Sequence, residues 1–302
     1  MYHTPVLLNE TIEGLNINPN GYYADCTFGG GGHSRAIMER LGENGRLIAF
    51  DQDADAKNNL IDDPRFIFVG ENFKYLKNFT RVHHLFPLDG ILADLGVSSH
   101  QFDDPSRGFS TRFNSEIDLR MDSRNENKAT TILNTYSLDQ LQTLFANYGE
   151  VHNAYKLATT IIKSRTDNLI TTTFDFKERI APCVPRGKEN KYFAQVFQAL
   201  RIEVNDELGA LKNLLVQSAE MLKEGGRLVV ISYHSLEDRL VKNYIKAGNF
   251  EGNIEKDFFG NPLTPMQAVS RKAIMPSAEE LEQNPRSRSA KLRIAEKKGV
   301  VK

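Results

Sequence analysis

The chain has 302 residues, 40% of them hydrophobic and 25% charged, and a formal net charge of −1. This composition is typical of a globular protein with a sizeable core, and the near-zero charge excludes a global basic field. Any binding of nucleic acid must therefore use a local patch. Cys26 and Cys183 are too far apart for a metal-ligand pair, and no apolar run approaches the length of a membrane span. With neither a disulfide framework nor a signal peptide recognisable, we expect a cytoplasmic protein with no metal and no membrane partner.

After a short helix predicted before residue 20, the pattern over 21–53 is strand, glycine loop, helix and second strand. A short strand at 22–24 stops at Asp25, and four consecutive glycines occupy positions 29–32. A helical pattern follows over 33–41, and the apolar run 47–50 stops at Asp51. This order, with an acid closing the second strand, is typical of the nucleotide-binding half of a doubly wound sheet.

The glycines and acids of this stretch indicate which nucleotide it holds. The dinucleotide fingerprint G-x-G-x-x-G fails, because its third glycine falls on Ser34 or Arg35. Asp25 would repel a pyrophosphate but suits a cationic ligand such as S-adenosylmethionine, which carries a sulfonium and an ammonium group. Asp51 can accept both ribose hydroxyls, and Asp25 can orient the loop or the methionyl end. A tight turn without a ligand explains four glycines less well, since each costs backbone entropy.

Two further strands are predicted at 65–69 and 88–95, and the residues at their ends are candidates for the same site. Phe73 follows the third strand and either stacks on adenine or belongs to the core. Asp94 ends the fourth strand, and the carboxyl ends of parallel strands line the ligand crevice of a doubly wound sheet. Asp94 therefore joins Asp25 and Asp51 along one edge. For Asp94 alone, a turn or helix-capping acid is the structural alternative.

The alternation of strands and helices stops between Asp103 and Lys191. A polar, turn-rich stretch is followed by three helical patterns, around 138–148, 157–162 and 174–181. We predict an all-helical insertion at 103–191, which recognises the substrate, within a sheet domain formed by 1–102 and 192–302. Most of its cations suit solvated helix faces, and a subset could line an RNA path. These cations are Lys156, Lys163, Arg165, Lys177, Arg179, Arg186, Lys188 and Lys191.

The remainder of the chain returns to the sheet pattern. One long helix is predicted over 192–223, and an apolar strand over 227–233 delivers His234 to the same edge. Ser235 and Asp238 have the spacing of a capping box, whereas His234 is either functional or a hydrogen-bonded scaffold residue. Two last strands are predicted around a loop with Pro276 and Pro285. Their cluster of basic residues is typical of a solvated edge strand, or it could bind a phosphate backbone. The cluster consists of Arg286, Arg288, Lys291 and Arg293.

Motifs spread over nearly the whole chain resemble one family. They are HTPVLLNE, DCTFGGGGHSRAI, GRLIAFDQD, DGILADLGVSS, RGFS, DLRMD, FQALRIEVNDEL, GGRLVVISYHSLEDR and NPRSRSAKLRIAEK. They resemble the bacterial ribosomal small-subunit RNA cytosine-N4 methyltransferases known as RsmH or MraW. The resemblance implies an α/β class I methyltransferase fold, a Rossmann-like doubly wound sheet with an inserted all-helical domain. It also implies S-adenosyl-L-methionine as cofactor and methylation of N4 of a cytosine, conventionally numbered 1402, in the decoding site of 16S rRNA.

The resemblance also implies the residues that contact the cofactor. They are Gly31, Gly32, His33, Asp51, Phe73, Asp94 and Gln101.

An exocyclic cytosine amine is a weak nucleophile, so a hydrogen-bond acceptor that takes its proton would assist the transfer. Asp94 is the first candidate for this catalytic role. If Asp94 is fully engaged with the cofactor, His234 or Asp118 becomes the better candidate. Phe109 is predicted to stack on a flipped base.

Two rival hypotheses stay open at this point. One is a dinucleotide-dependent oxidoreductase, and the other is a non-catalytic RNA-binding or assembly factor with a vestigial methyltransferase fold. The predicted partner is 16S rRNA within the small ribosomal subunit, and the sequence leaves a homodimer open.

Overall fold

The computed structural model describes residues 5–299, so His3 and Thr4 of the first family motif lie outside the described residues. The chain divides into two compact units. The first unit comprises residues 1–96 and 208–302, and the second comprises residues 97–207. No helix among residues 5–299 is long and apolar enough to cross a membrane.

Strands and helices alternate along the first part of the chain, and a run of helices follows. The strands are β1 Tyr22–Asp25, β2 Arg46–Phe50, β3 Phe66–Val69, β4 Leu88–Asp94, β5 Leu222–Ser232, β6 Met266–Ala268 and β7 Lys291–Lys297. The α-helices are α1 Leu8–Leu15, α2 Gly32–Met38, α3 Leu76–Val82, α4 Ser99–Asp103, α5 Ala129–Thr135, α6 Leu138–Gly149, α7 Ala154–Ser164, α8 Thr173–Ile180, α9 Glu189–Asn205, α10 Glu207–Met221, α11 Ser235–Ala247 and α12 Ala278–Gln283.

The first unit is built on one sheet, whose strand order over the described residues is β3-β2-β1-β4-β5-β7-β6. The strands from β3 to β5 are parallel, while β7 runs antiparallel to both β5 and β6. The central strands are nearly continuous apolar runs because helices cover both faces of such a sheet. Residues 47–50 of β2, for example, are completely buried.

The register of the parallel strands brings the three acids to one edge. Asp25 lies opposite Ala49 of β2 and Leu92 of β4, so Asp51 and Asp94 each follow two residues further on. Because parallel strands present their carboxyl ends on the same side, all three carboxylates lie at the end where doubly wound sheets hold their ligands.

The second unit consists of helices α4 to α9 around a core of its own. Phe145 of α6, Phe176 of α8 and Leu200 of α9 are completely buried in this core. The unit is larger than the predicted insertion of 103–191 because the apolar face of α9 packs into the helical core.

The predicted single helix over 192–223 is wrong, because the chain breaks it at Asp206. Asp206 caps α9 in the left-handed region with φ 48°, and α10 starts at the next residue. Arg201 forms an ion pair with Glu207 across the break, at 2.8 Å. Neither glycine nor proline marks this position, so residue types alone do not signal the break.

The end of the chain also differs from its prediction. Arg286 and Arg288 lie in a short 3-10 helix over Pro285–Ser289 and not in a strand, because Pro285 occupies its first turn. Arg293 and Lys291 of β7 face Asp238, at 2.6 Å and 3.4 Å. These two members of the predicted basic cluster therefore form structural ion pairs.

Asn205→Ala is expected to destabilise the second unit. The Asn205 amide donates to the Leu119 carbonyl at 2.7 Å and accepts from the Met121 N–H at 2.7 Å. Alanine leaves both backbone groups without this partner, so we expect a loss of about 1–3 kcal/mol in the free energy of unfolding. Urea unfolding followed by circular dichroism measures it. Lys191→Ala, at an exposed position of the same helix, is the control and should change stability by less than about 0.5 kcal/mol. Equal stability of the two variants would contradict the role of Asn205.

Candidate active site

Asp25 anchors the glycine loop from inside the protein. Its side chain is only 1% exposed, and it accepts hydrogen bonds from the Ser34 hydroxyl at 2.7 Å and the Thr27 N–H at 3.0 Å. Burial raises the pKa of Asp25, against the effect of these hydrogen bonds. Of the two roles predicted for Asp25, its contacts fit the orientation of the loop.

Two glycines of the loop are required by its geometry. Gly31 precedes α2 with φ 75°, in the region that side chains rarely adopt. Gly32 approaches Pro5 so closely that an added Cβ would lie 2.2 Å from the proline Cγ. Pro5 therefore occupies the space in which a side chain of residue 32 would begin, and a larger residue would displace the loop.

Asp51 links the glycine loop to the turn that follows β2. Its Oδ2 accepts from the Gly29 N–H at 2.7 Å, and its Oδ1 accepts from the Asp53 N–H at 2.9 Å. Burial raises the pKa of Asp51 to about 6, although both hydrogen bonds favour the ionised form. Each carboxylate oxygen can accept a second hydrogen bond, so Asp51 can still bind a pair of hydroxyls.

Asp94 occupies the end of β4 with its two oxygens in different surroundings. Oδ1 accepts from the Tyr233 hydroxyl at 2.8 Å, and Oδ2 lies 3.8 Å from Nδ1 of His33. The side chain is 22% exposed. Burial raises the pKa of Asp94 to about 6, while His33 and Tyr233 act in the opposite direction. Asp25 contributes to the raised pKa of both Asp51 and Asp94, so the three acids act as one electrostatic group.

The orientation of the His33 ring follows from the contact that its Nε2 atom makes. Nε2 lies 3.0 Å from the carbonyl oxygen of Val6, in a buried position. A carbonyl can only accept a hydrogen bond, so Nε2 carries a hydrogen and Nδ1 is the nitrogen that faces Asp94. His33 therefore belongs to the immediate surroundings of Asp94.

Phe73 lies directly after β3, in a 3-10 helix over Phe73–Tyr75. Its ring is half-buried and packs against the core on one face of the sheet. Asn72 beside it donates to the Gln52 side chain at 2.9 Å, which ties the segment after β3 to the segment after β2. A half-buried ring at this edge is compatible with both of its predicted roles.

Comparison with known proteins identifies the family of the chain. Residues 1–298 match the MraW methylase family. The chain belongs to this family. It is 57% identical over 297 residues to ribosomal RNA small subunit methyltransferase H of Bacteroides thetaiotaomicron, with 98% of both chains covered. It is 54% identical over 296 residues to the protein of the same name from Flavobacterium johnsoniae, again with 98% of both covered.

Solved structures resemble the chain more distantly. One is a putative methyltransferase from Streptococcus mutans in complex with SAH, which is 10% identical with a TM-score of 0.43 and covers 96% of this chain and 97% of its own. Membership of the MraW methylase family, together with the sheet order, confirms the predicted class I methyltransferase fold and the methyltransferase class of enzyme. The oxidoreductase and the non-catalytic factor have no support among these relatives.

His234, a predicted catalytic residue of this methylase, caps a helix. The capping box starts at His234, not at Ser235 as predicted, because the Glu237 side chain accepts from the His234 N–H at 3.3 Å. Nδ1 of His234 accepts from the Glu237 N–H at 3.4 Å, and Nε2 lies 3.1 Å from Glu237 Oε1 without hydrogen-bond geometry. These contacts give His234 a structural role at the start of α11.

Three further predicted residues belong to the second unit. Gln101 forms a capping box with Ser98 at the start of α4. Burial disfavours the charge of Asp118, but hydrogen bonds from Arg120 outweigh it and lower the pKa of Asp118, which makes Asp118 a weak proton acceptor. Phe109 is buried in the helical core, so the structure contradicts its predicted role of stacking on a flipped base.

Three polar residues outside the predicted set organise the acids. Thr27 accepts from the Asp94 N–H at 2.7 Å, Ser34 donates to Asp25, and Tyr233 donates to Asp94. Thr27 and Ser34 flank the glycines, so hydroxyl residues on both sides of the loop were a usable signal. Tyr233 is the last residue of the apolar run that precedes His234, but only the folded structure shows that its hydroxyl contacts Asp94.

The raised pKa of Asp94 predicts a characteristic pH dependence of stability. Below about pH 4 the carboxyl is protonated in both the folded and the unfolded chain, so it carries no penalty. Between about pH 4 and the folded pKa of about 6, the unfolded chain ionises first and the folded state loses stability. Asp94→Asn removes this loss. Between pH 4 and pH 7, the free energy of unfolding of the variant should therefore rise by roughly 2 kcal/mol relative to that of the wild type. Urea unfolding of the ligand-free protein across this range is the measurement.

Asp118→Asn is the matched control with the opposite sign. The pKa of Asp118 is lowered, so its charged form stabilises the fold, and this variant should be less stable than the wild type by a difference that is complete by about pH 5 and stays nearly constant up to pH 7. A constant difference between Asp94→Asn and the wild type across the range would rule out the raised pKa.

Proposed function

We propose that the chain transfers the methyl group of S-adenosylmethionine to N4 of a cytosine in the decoding site of 16S rRNA, within the small ribosomal subunit in the cytoplasm. The observation that carries the proposal is the group of three carboxylates at the ends of β1, β2 and β4. The pKa is raised for all three, and for Asp51 and Asp94 it reaches about 6. Relatives named ribosomal RNA small subunit methyltransferase H support the choice of substrate.

The residues present fit a cationic methyl donor. Burial has raised the pKa of the strand-end acids, and a positive ligand beside them offsets that penalty. Asp51 would hold the ribose hydroxyls with its remaining lone pairs, and Phe73 would cover the adenine. Gly31 and Gly32 would admit the donor close to the backbone, and His33 and Asp94 would line its charged end. Gln101 belongs to the proposed set through the family resemblance.

The chemistry of the reacting methyl group comes from the bound donor, so the residues of the chain bind, align and accept a proton. The lone pair of the cytosine amine is delocalised into the ring, which makes the amine a weak nucleophile. A carboxylate oxygen that accepts a hydrogen bond from this amine localises the lone pair and takes the proton after transfer. Oδ2 of Asp94 suits this role best, because the alternatives His234 and Asp118 are held in structural contacts.

The helical unit carries exposed cations suited to an RNA backbone. Several cations of the predicted set bind carbonyl oxygens or carboxylates of their own unit: Lys156, Arg165, Lys177 and Arg179. Arg186 and Lys188, in contrast, lie exposed on the segment that leads into α9, and Lys191 lies exposed in the first turn of α9. Phosphate contacts position an RNA without reading its sequence, so these three residues are proposed to orient the substrate.

Methyl transfer from labelled S-adenosylmethionine to small subunits that lack the modification tests the proposed function. Nucleoside mass spectrometry should find labelled N4-methylcytidine. Asp94→Asn should lower the rate at saturating donor by about 100-fold or more, since the amide accepts no proton. Asp89→Asn, at the other end of β4, is the matched control and should retain most of the activity. A different methylated nucleoside would contradict the proposed acceptor, and full activity of Asp94→Asn would remove Asp94 from the reaction.

The combined variant Arg186→Gln, Lys188→Gln and Lys191→Gln should weaken binding of the small subunit. Each lost phosphate contact reduces the slope of the logarithm of the binding constant against the logarithm of the salt concentration by roughly one. The slope for the triple variant should therefore be smaller in magnitude than that for the wild type by up to about three. Equilibrium binding at several salt concentrations provides the slope. The control is Arg81→Gln, Lys242→Gln and Lys246→Gln, which removes three exposed cations from the first unit. Equal slopes for the two triple variants would show that the helical unit does not contact phosphates through these residues.

A further inference from the structure

Tyr233 contacts Asp94, the residue at the centre of the proposed transfer. Its hydroxyl donates to Oδ1 of Asp94 at 2.8 Å, while Oδ2 faces Nδ1 of His33 at 3.8 Å. The two oxygens of Asp94 are therefore not equivalent. Oδ1 accepts a hydrogen bond of ordinary length from a neutral donor, whereas Oδ2 lies beyond hydrogen-bond distance of His33.

The position of Tyr233 is fixed by the chain around it. Its backbone N–H donates to Oε2 of Glu237 at 2.8 Å, so the start of α11 holds the residue at the end of β5. Its ring packs over Gly96, where an added Cβ would lie 3.4 Å from the ring Cδ2. Burial raises the pKa of the Tyr233 hydroxyl far above its ordinary value, so at physiological pH this hydroxyl is always a donor.

We propose that Tyr233 is a positioning residue for Asp94, one that occupies Oδ1 and thereby presents Oδ2 to the amine of the acceptor base. This inference rests on the proposed function. The hydrogen bond fixes the plane of the carboxylate, because a rotation about its χ2 angle would break the contact at Oδ1. It also favours the ionised carboxylate, which is the form that can accept a proton.

The charge on Asp94 is set by groups on four neighbouring elements. His33 of α2 and Tyr233 after β5 favour the ionised form, whereas Asp25 of β1 and Glu237 of α11 oppose it. Glu280 of α12 acts on Tyr233 in addition. Removal of the Tyr233 hydroxyl leaves both opposing carboxylates in place, so protonation of Asp94 must become easier.

Tyr233→Phe tests this inference because it keeps the ring and removes only the donor. The ¹³C carboxyl resonance of Asp94 is titrated in ligand-free protein labelled at aspartate, with Asp94→Asn to assign the signal. We expect its midpoint to move up by about one pH unit in Tyr233→Phe. The acidic limb of the methyl-transfer profile at saturating donor should move up in parallel. Tyr244→Phe is the control, since the buried Tyr244 ring stacks on Phe250, 5.5 Å between centroids, and its loss of a hydroxyl should leave the titration unchanged.

The possible outcomes separate this inference from the proposed function. An unchanged Asp94 titration in Tyr233→Phe, with methyl transfer intact, overturns the role of Tyr233 and leaves the proposed function standing. An equal shift in Tyr233→Phe and Tyr244→Phe shows a general effect on the fold and overturns it as well. If the wild type transfers no methyl group to 16S rRNA, the proposed function fails, and the titration still shows whether Tyr233 sets the charge of Asp94.

Discussion

The structure depends on the burial of negative charge at one edge of a parallel sheet. Three strands end there in a carboxylate, and each carboxylate accepts hydrogen bonds from neighbouring residues. Those bonds are insufficient to hold the pKa of Asp51 and Asp94 near that of a free aspartate. The ligand-free edge therefore carries an electrostatic cost that a cationic ligand relieves. A methyl donor with a sulfonium and an ammonium group meets this requirement, whereas a pyrophosphate increases the cost.

The same contacts make the site rigid before any ligand arrives. Asp25 ties the glycine loop to the start of α2, Asp51 closes the turn after β2, and Asp94 is held by Thr27 and Tyr233. A methyltransferase works mainly by alignment of two reactants, so a site held in place by its own hydrogen bonds loses little free energy when it orders them. The glycines contribute by close approach at Gly32 and by a left-handed backbone at Gly31.

The sheet and its acids were predictable because both follow from short-range patterns. Apolar runs that stop at Asp25, Asp51 and Asp94 predict strand ends, and parallel strands present those ends on one side. The break between α9 and α10 was not predictable, since α9 ends at Asp206 in the left-handed region without a glycine or proline to signal it. The burial of Phe109 was not predictable either, since a single aromatic residue in a polar, turn-rich stretch does not reveal that it packs into the helical core.

The surroundings of Asp94 show most clearly what sequence patterns leave out. Tyr233 and His33 contact it from positions 139 and 61 residues away in the chain, and no periodicity relates them to Asp94. The family resemblance includes His33 among the cofactor contacts. Only the folded structure shows that its Nε2 bonds to Val6 and that its Nδ1 faces Asp94. Long-range partners of a buried charge therefore need coordinates, even where the charge itself is evident from the sequence.

The most direct test of the account is the number of protons released when S-adenosylmethionine binds. Calorimetric titration in buffers of different ionisation enthalpy, between pH 5 and pH 7, gives this number. Asp51 and Asp94 are each about half protonated at pH 6 in the free protein, so the account predicts release of up to about one proton there and less at pH 7. Asp94→Asn should remove about half of the release. Binding without proton release, or with proton uptake, would contradict the claim that buried carboxylates receive a cationic donor.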